Sequence, residues 1–156
     1  MEKFQVRKAI TSDAEELSAL IRETALEILR PQYSEEQWSI FSRYYSTPVM
    51  LEKIRTQVFF CGINNKTIVG CIGLHDGCVV GFYTRLNFRS QGVGTMLMAH
   101  LEAYSRELGL NELKLAASPA AVDFYSKNGW QKVKDFVVEH CGVEFHETLM
   151  KKKIKL

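Results

Sequence analysis

The sequence predicts a mixed α/β (α+β) domain, a central sheet with one layer of helices on each face. Three observations predict it. The first third reads as helices behind one short strand, the middle switches to an antiparallel meander, and the last third alternates helix and strand. No linker, repeat or low-complexity stretch breaks this order, so one domain is expected over residues 1–156.

Each element has a local reason. Residues 4–10 begin with apolar–polar alternation, the period of a half-buried strand. Ser12-Asp13-Ala14-Glu15 has the capping-box pattern of a helix start. Leu17, Leu20, Ile21, Ala25, Ile28 and Leu29 follow at helical spacing until Pro31. Ser34-Glu35-Glu36-Gln37 repeats the capping signature, and Trp38, Phe41 and Tyr45 share one face of the second helix. Thr47-Pro48 opens a third, short helix, where proline is tolerated. Residues 58–63, 67–74 and 78–84 are the meander, divided by Asn64-Asn65 and by Asp76-Gly77, a pair suited to a type I′ turn. A long helix over residues 92–108 carries Leu97, Leu101, Tyr104 and Leu108 on one side, and Gly109 suits its end. A strand (113–116), a helix (118–127) and two strands (130–138 and 143–150) complete the chain.

Composition excludes several classes. With 46% hydrophobic and 24% charged residues the chain is globular, and a net charge of +2 argues against a nucleic-acid partner. The basic run Lys151-Lys152-Lys153 with Lys155 reads as a solvated tail. The first residues have no apolar signal region, and no stretch approaches the ~20 apolar residues of a membrane span. A soluble, cytoplasmic protein with no membrane partner is expected. Four cysteines without Cys-x-x-Cys spacing imply no metal site.

The most informative segment is Arg89-Ser90-Gln91-Gly92-Val93-Gly94-Thr95, between a strand and the longest helix. Glycines permit a tight turn and a close backbone approach to a ligand. The first amides of a helix have no partners within it, and the macrodipole makes that end positive. Together these form an anion site suited to phosphate, and Arg89 adds a fixed cation. A Walker A loop needs a lysine before Thr95. A Rossmann fingerprint needs a third glycine and an early β-α-β setting. Neither is present.

Arg89-x-x-Gly92-x-Gly94 resembles the acetyl-coenzyme A signature of GNAT (GCN5-related) N-acetyltransferases. Residues 117–130, with Phe124-Tyr125 on a helix and Gly129-Trp130 after it, are similar to the family's second signature. The resemblance runs from residue 4 to residue 150. It implies the GNAT fold, a mixed, mostly antiparallel sheet of six to seven strands. It also implies acetyl-CoA as co-substrate and transfer of acetyl to a primary amine of a small molecule or peptide. By the same resemblance, the backbone of Phe82, Tyr83 and Thr84 would bond the pantetheine arm. Ser90, Gln91, Gly92, Val93, Gly94 and Thr95 would hold the pyrophosphate, with Arg89 alongside. Ser118 stands where many relatives have a cofactor-touching asparagine, and it can also cap its helix. Tyr125 matches the tyrosine that protonates the departing thiolate, a task suited to a phenol with pKa about 10.

An ammonium has no lone pair, so some group must take its proton. His75 and Asp76 at a turn, and Glu144 and His146 on one face of the last strand, are the candidates, with His146 favoured for its neutral titration. Trp38, Phe41, Tyr44 and Tyr45 make the second helix aromatic enough for one or two rings to wall an amine pocket. Composition leaves homodimerisation open. The competing readings are a non-catalytic acyl-CoA sensor or interaction module, and a nucleotide binder.

Overall fold

The computed structural model describes residues 3–154. Seven strands form one sheet in the order β1-β2-β3-β4-β5-β7-β6. In chain order these are β1 (Gln5–Lys8), β2 (Val58–Asn64), β3 (Thr67–His75), β4 (Cys78–Thr84), β5 (Glu112–Ala117), β6 (Gln131–His140) and β7 (Val143–Lys153). The helices are α1 (Ala14–Ile28), α2 (Glu35–Tyr44), α3 (Thr47–Thr56), α4 (Val93–Glu107) and α5 (Val122–Lys127). All neighbouring strands are antiparallel except β4 and β5, which run parallel. The expected mixed sheet with helices on both faces is what the chain adopts.

Two cores sit back to back across the sheet. On one face Leu97 and Leu101 of α4, both fully buried, pack with Ile72, Leu113, Trp130 and Met150. On the other, Leu17, Leu20 and Ile21 of α1 and Met50 of α3 pack on Phe59, Ile68 and Cys71. Each fully buried Leu or Ile contributes roughly 1.5–3 kcal/mol, so both faces are firmly clad. Gly62 and Gly70 are register partners on β2 and β3. A Cβ on Gly70 would come within 3.0 Å of Val93 and Leu97, so this floor lets the start of α4 lie close to the sheet.

Two local expectations change and one holds. Asp13, rather than Ser12, organises the approach to α1. Its carboxylate accepts from the Ile10 amide (2.8 Å) and from both Arg7 terminal nitrogens (2.7 and 2.9 Å). The Arg7 guanidinium holds the Asp13 carboxyl below the ordinary carboxylate range. The capping box at Ser34 does form, with Gln37 N donating to Ser34 Oγ (3.1 Å) and Ser34 N to Gln37 Oε1 (2.9 Å). Lys151 to Lys153 are not a tail. They extend β7 against β5, Lys152 pairs with Glu102 at 3.0 Å, and Ile154 is buried behind them. Lys155 of that run lies outside the described residues.

Candidate functional site

The sheet opens where its parallel neighbours, β4 and β5, meet. β4 and β5 touch at one register pair, Cys78 with Lys114, supported by the Lys114 amide donating to the Gly77 carbonyl (3.0 Å). Beyond it the strands diverge. The cause is a bulge in β4: Gly73 faces Val80 and Cys71 faces Tyr83, so two β4 residues oppose Ile72 alone. Gly81 takes φ +55 there, and a Cβ on it would meet the Phe59 ring at 2.8 Å, so both conformation and space require glycine. From the bulge onward, the edge of β4 facing β5 has no strand to pair with among the described residues.

A cavity of about 1380 Å³ fills the opening and runs from the start of α4 to the last hairpin. Phe82, Tyr83 and Thr84 line it from β4, and Arg89, Ser90, Gly92, Val93, Gly94 and Thr95 line it from the glycine loop. Ser118 and Tyr125 line it from the segment after β5. Of the expected cofactor residues, Gln91 alone does not line the cavity. It bonds the Asn87 carbonyl and accepts from Lys3 Nζ at 2.7 Å.

The start of α4 is an unfilled anion seat. Its first helical bond is Met96 N to Gly92 O (3.0 Å), which leaves the amides of Val93, Gly94 and Thr95 without helical partners. No side chain caps this end and no acidic residue occupies its first turn. Ser90 and Gly92 have φ +60 and +87, turning the preceding backbone toward the same point. A Cβ on Gly92 would meet nothing within 4 Å, and one on Gly94 nothing closer than 3.5 Å. Protein packing therefore does not demand glycine at residue 94, and the room left beside the amides could take a diphosphate.

Tyr125 sits on α5 between Phe124 and Trp130, edge-on to both, with centroids at 5.3 and 5.8 Å. The Trp130 amide donates to the Tyr125 carbonyl (3.0 Å) after Gly129 turns at φ +91, which ends α5 and buries Trp130 beneath the tyrosine. Burial pushes the Tyr125 hydroxyl up to about 12. Ser118 precedes a short turn (Pro119–Ala121) and holds it through its carbonyl, accepting from Ala121 N (2.9 Å). Its side chain makes no capping bond, contrary to expectation.

The far end of the cavity is aromatic. Phe145, Tyr33, Phe41, Tyr45 and Tyr83 form a continuous chain of rings from β7 to β4, with successive centroids 5.6, 6.1, 5.0 and 6.2 Å apart. Gln37 Nε2 donates to the Glu144 carbonyl (2.9 Å), fastening α2 over the hairpin that closes this end. Phe41, Tyr44 and Tyr45 reach the cavity, while Trp38 stacks outside on Phe41. Lys53 Nζ already covers one face of Tyr44, 3.7 Å from the ring centroid.

None of the four expected proton acceptors lines the cavity. His75 and Asp76 pair with each other at the β3–β4 turn (3.4 Å), and Glu144 and His146 stand on the exposed side of β7. The alternation that places these two together turns Phe145, Glu147 and Leu149 inward. Glu147 is half-buried, and burial raises its carboxyl above the ordinary range. The alternation was readable in the sequence; which phase faced inward was not.

Among the described residues no group of His, Cys, Asp and Glu is arranged to hold a metal, and no helix is long and apolar enough to cross a membrane. No curated protein matches the chain. Solved structures do match in fold. A GCN5-related N-acetyltransferase from Rhodopseudomonas palustris shares 22% identity, covering 98% of this chain and 97% of that one, at TM-score 0.88. PaiA N-acetyltransferase from Thermoplasma acidophilum, in complex with coenzyme A, shares 21% over 98% and 99%, at 0.79. YncA from Salmonella typhimurium, solved with its cofactor acetyl-CoA, shares 14% over 99% and 95%, at 0.70. The family model described as acetyltransferase (GNAT) domain matches residues 29–154, which takes in the bulged strand, the uncapped helix start and the Tyr125 helix. The chain therefore belongs to the GNAT acetyltransferases, whose co-substrate is acetyl-CoA.

Proposed function

We propose that this chain is a single-domain, acetyl-CoA-dependent N-acetyltransferase that transfers acetyl to a primary amine by direct attack within a ternary complex. The observation that carries the reading is one continuous cavity with an anion seat at one end and an aromatic lobe at the other. Such a cavity lets donor and acceptor meet without a covalent enzyme intermediate, so proximity does much of the work.

Acetyl-CoA supplies the acetyl group as a thioester with a thiol leaving group. The chain's own residues do the rest. The unpaired edge of β4 at Phe82, Tyr83 and Thr84 offers backbone groups to the amide-bearing pantetheine arm, in the manner of an added strand. Backbone amides over residues 90–95 hold the pyrophosphate, and Arg89 gives a bidentate cation beside it. The Ser118 hydroxyl, free of any capping bond, is available to the same ligand. Tyr125 gives its proton to the sulfur as the C–S bond breaks. With its hydroxyl pushed up to about 12, it is protonated throughout the neutral range.

A thiol-release assay with acetyl-CoA against a panel of amines tests this reading. Release dependent on the amine is expected, and Tyr125→Phe should lower kcat by about 10²–10⁴-fold. Titration of coenzyme A into the same variant should give wild-type affinity. Preference for ATP or NAD over acetyl-CoA, or tight binding without amine-dependent release, overturns the proposal.

A further inference from the structure

The aromatic lobe contains one group whose chemistry the family resemblance does not assign. Glu147 is the only carboxylate lining the cavity among the described residues. Its carboxylate makes no hydrogen bond or ion pair with another described residue. It lies two residues beyond Phe145 on the same inward phase of β7, beside the ring chain that continues through Tyr33, Phe41 and Tyr45. Its charge reaches the hydroxyls of both Tyr33 and Tyr45, after burial the next influence on Tyr33 and a lesser one on Tyr45. A half-buried carboxylate without a partner carries a desolvation cost that an ordinary structural role does not offset.

We infer that Glu147 and this aromatic wall form the acceptor subsite, built for a small primary amine with one positive charge and an apolar body. The inference rests on the N-acetyltransferase reading above. The ammonium pairs with Glu147, while the apolar body lies against Phe145, Tyr33 and Phe41. A second ammonium would stand against rings with no further carboxylate to meet it. An acceptor carboxylate would be placed beside Glu147 or against the same apolar rings. The cation at this end, Arg43, lines the cavity too, but it shares its rim with Glu35 and Glu36, which offset its charge toward an acceptor carboxylate.

Glu147 takes one proton from the ammonium, which frees the nitrogen lone pair. Nitrogen then bonds the acetyl carbon and the C–S bond breaks. Sulfur receives the Tyr125 proton, and the second nitrogen proton restores Tyr125. Glu147 passes its proton to water, so the turnover yields amide, free thiol and one released proton. Burial raises the Glu147 carboxyl, which makes it a stronger base than an exposed glutamate.

The test compares three amines: 2-phenylethylamine, phenylalanine, which adds a carboxylate to it, and 1,5-diaminopentane, which carries a second ammonium. It uses thiol release and, separately, calorimetric titration of each amine into coenzyme A-loaded protein. 2-Phenylethylamine should exceed the other two by about tenfold or more in kcat/KM, because both rivals bury an unpaired charge. Glu147→Gln should weaken 2-phenylethylamine binding by about tenfold and raise its KM, with coenzyme A affinity unchanged as the sign of an intact fold. Glu147→Asp should recover part of the loss. Preference for either rival, acetylation of peptides alone, or amine binding unaltered in Glu147→Gln overturns the inference. If coenzyme A binds yet no amine is acetylated, the enzyme reading fails, and the titration still decides whether Glu147 holds an amine.

Discussion

At the residue scale, the cavity gathers groups whose burial changes their chemistry in opposite ways for function and stability. Tyr125 gains from burial, because a phenol raised to about 12 keeps the proton that the proposed mechanism has it donate. Glu147 carries a cost from the same cause. Its folded carboxyl is raised above the ordinary glutamate value of about 4.3, so the folded state binds that proton more tightly than the unfolded state. The stability linked to this group is therefore fully present below about pH 4 and is lost as pH rises through the folded value. Gln at this position does not titrate. Glu147→Gln should melt at a higher temperature than the parent at pH 7.5, and the gain should shrink toward zero by about pH 4. Thermal melts across that range measure it directly. A gain that grows toward acid pH would show a carboxylate stabilised, not strained, by its surroundings.

At the element scale, the divergence of β4 and β5 and the start of α4 act as one device. The bulge at Gly81 directs β4 away, and the uncapped amides of α4 close the gap from below. Gly94 separates structural need from ligand need. In that helical position alanine is favoured over glycine by up to about 1 kcal/mol, and its methyl would meet no atom closer than 3.5 Å. Gly94→Ala should thus raise the melting temperature of the free protein while weakening coenzyme A binding severalfold, because the methyl would stand where the proposed pyrophosphate site brings the diphosphate. Equal coenzyme A affinity in the variant would place the diphosphate elsewhere. This device was half legible in the sequence. The glycine spacing and the change of period at residue 58 marked the loop and the meander, since turn chemistry and alternation are local properties. The bulge was not legible, because an extra residue in one strand is defined only by the partner's register. The same limit hid Glu147: Glu144, His146 and Glu147 look alike until the hairpin's inward phase is fixed by Phe145 packing against Tyr33. The lysines at residues 151–153 misled for a related reason, since their charge outweighed the β5 pairing that makes them a strand.

At the scale of the whole molecule, rigidity is unevenly distributed around the cavity. β2 and β3 are buried on both faces, between the α1 and α3 core and the α4 core. β6 is an edge strand, exposed along most of its length and paired only with β7. The cavity thus has one wall anchored in the double core and another in a hairpin held to α2 by the Gln37 bond to the Glu144 carbonyl. Amide exchange should follow this order, with β2 and β3 slowest among the strands and β6 fastest, because opening a strand clad on both faces requires near-global unfolding. Coenzyme A sharpens the test. If it lies along the β4 edge and on the start of α4, its addition should slow exchange at residues 82–84 and 90–95. Exchange in β1 and in the outer residues of β6 should be left nearly unchanged. General slowing of the whole chain would mean that the ligand only stabilises the fold. Protection confined to the two predicted segments requires direct shielding of those amides, and it would locate the donor in the gap between β4 and β5.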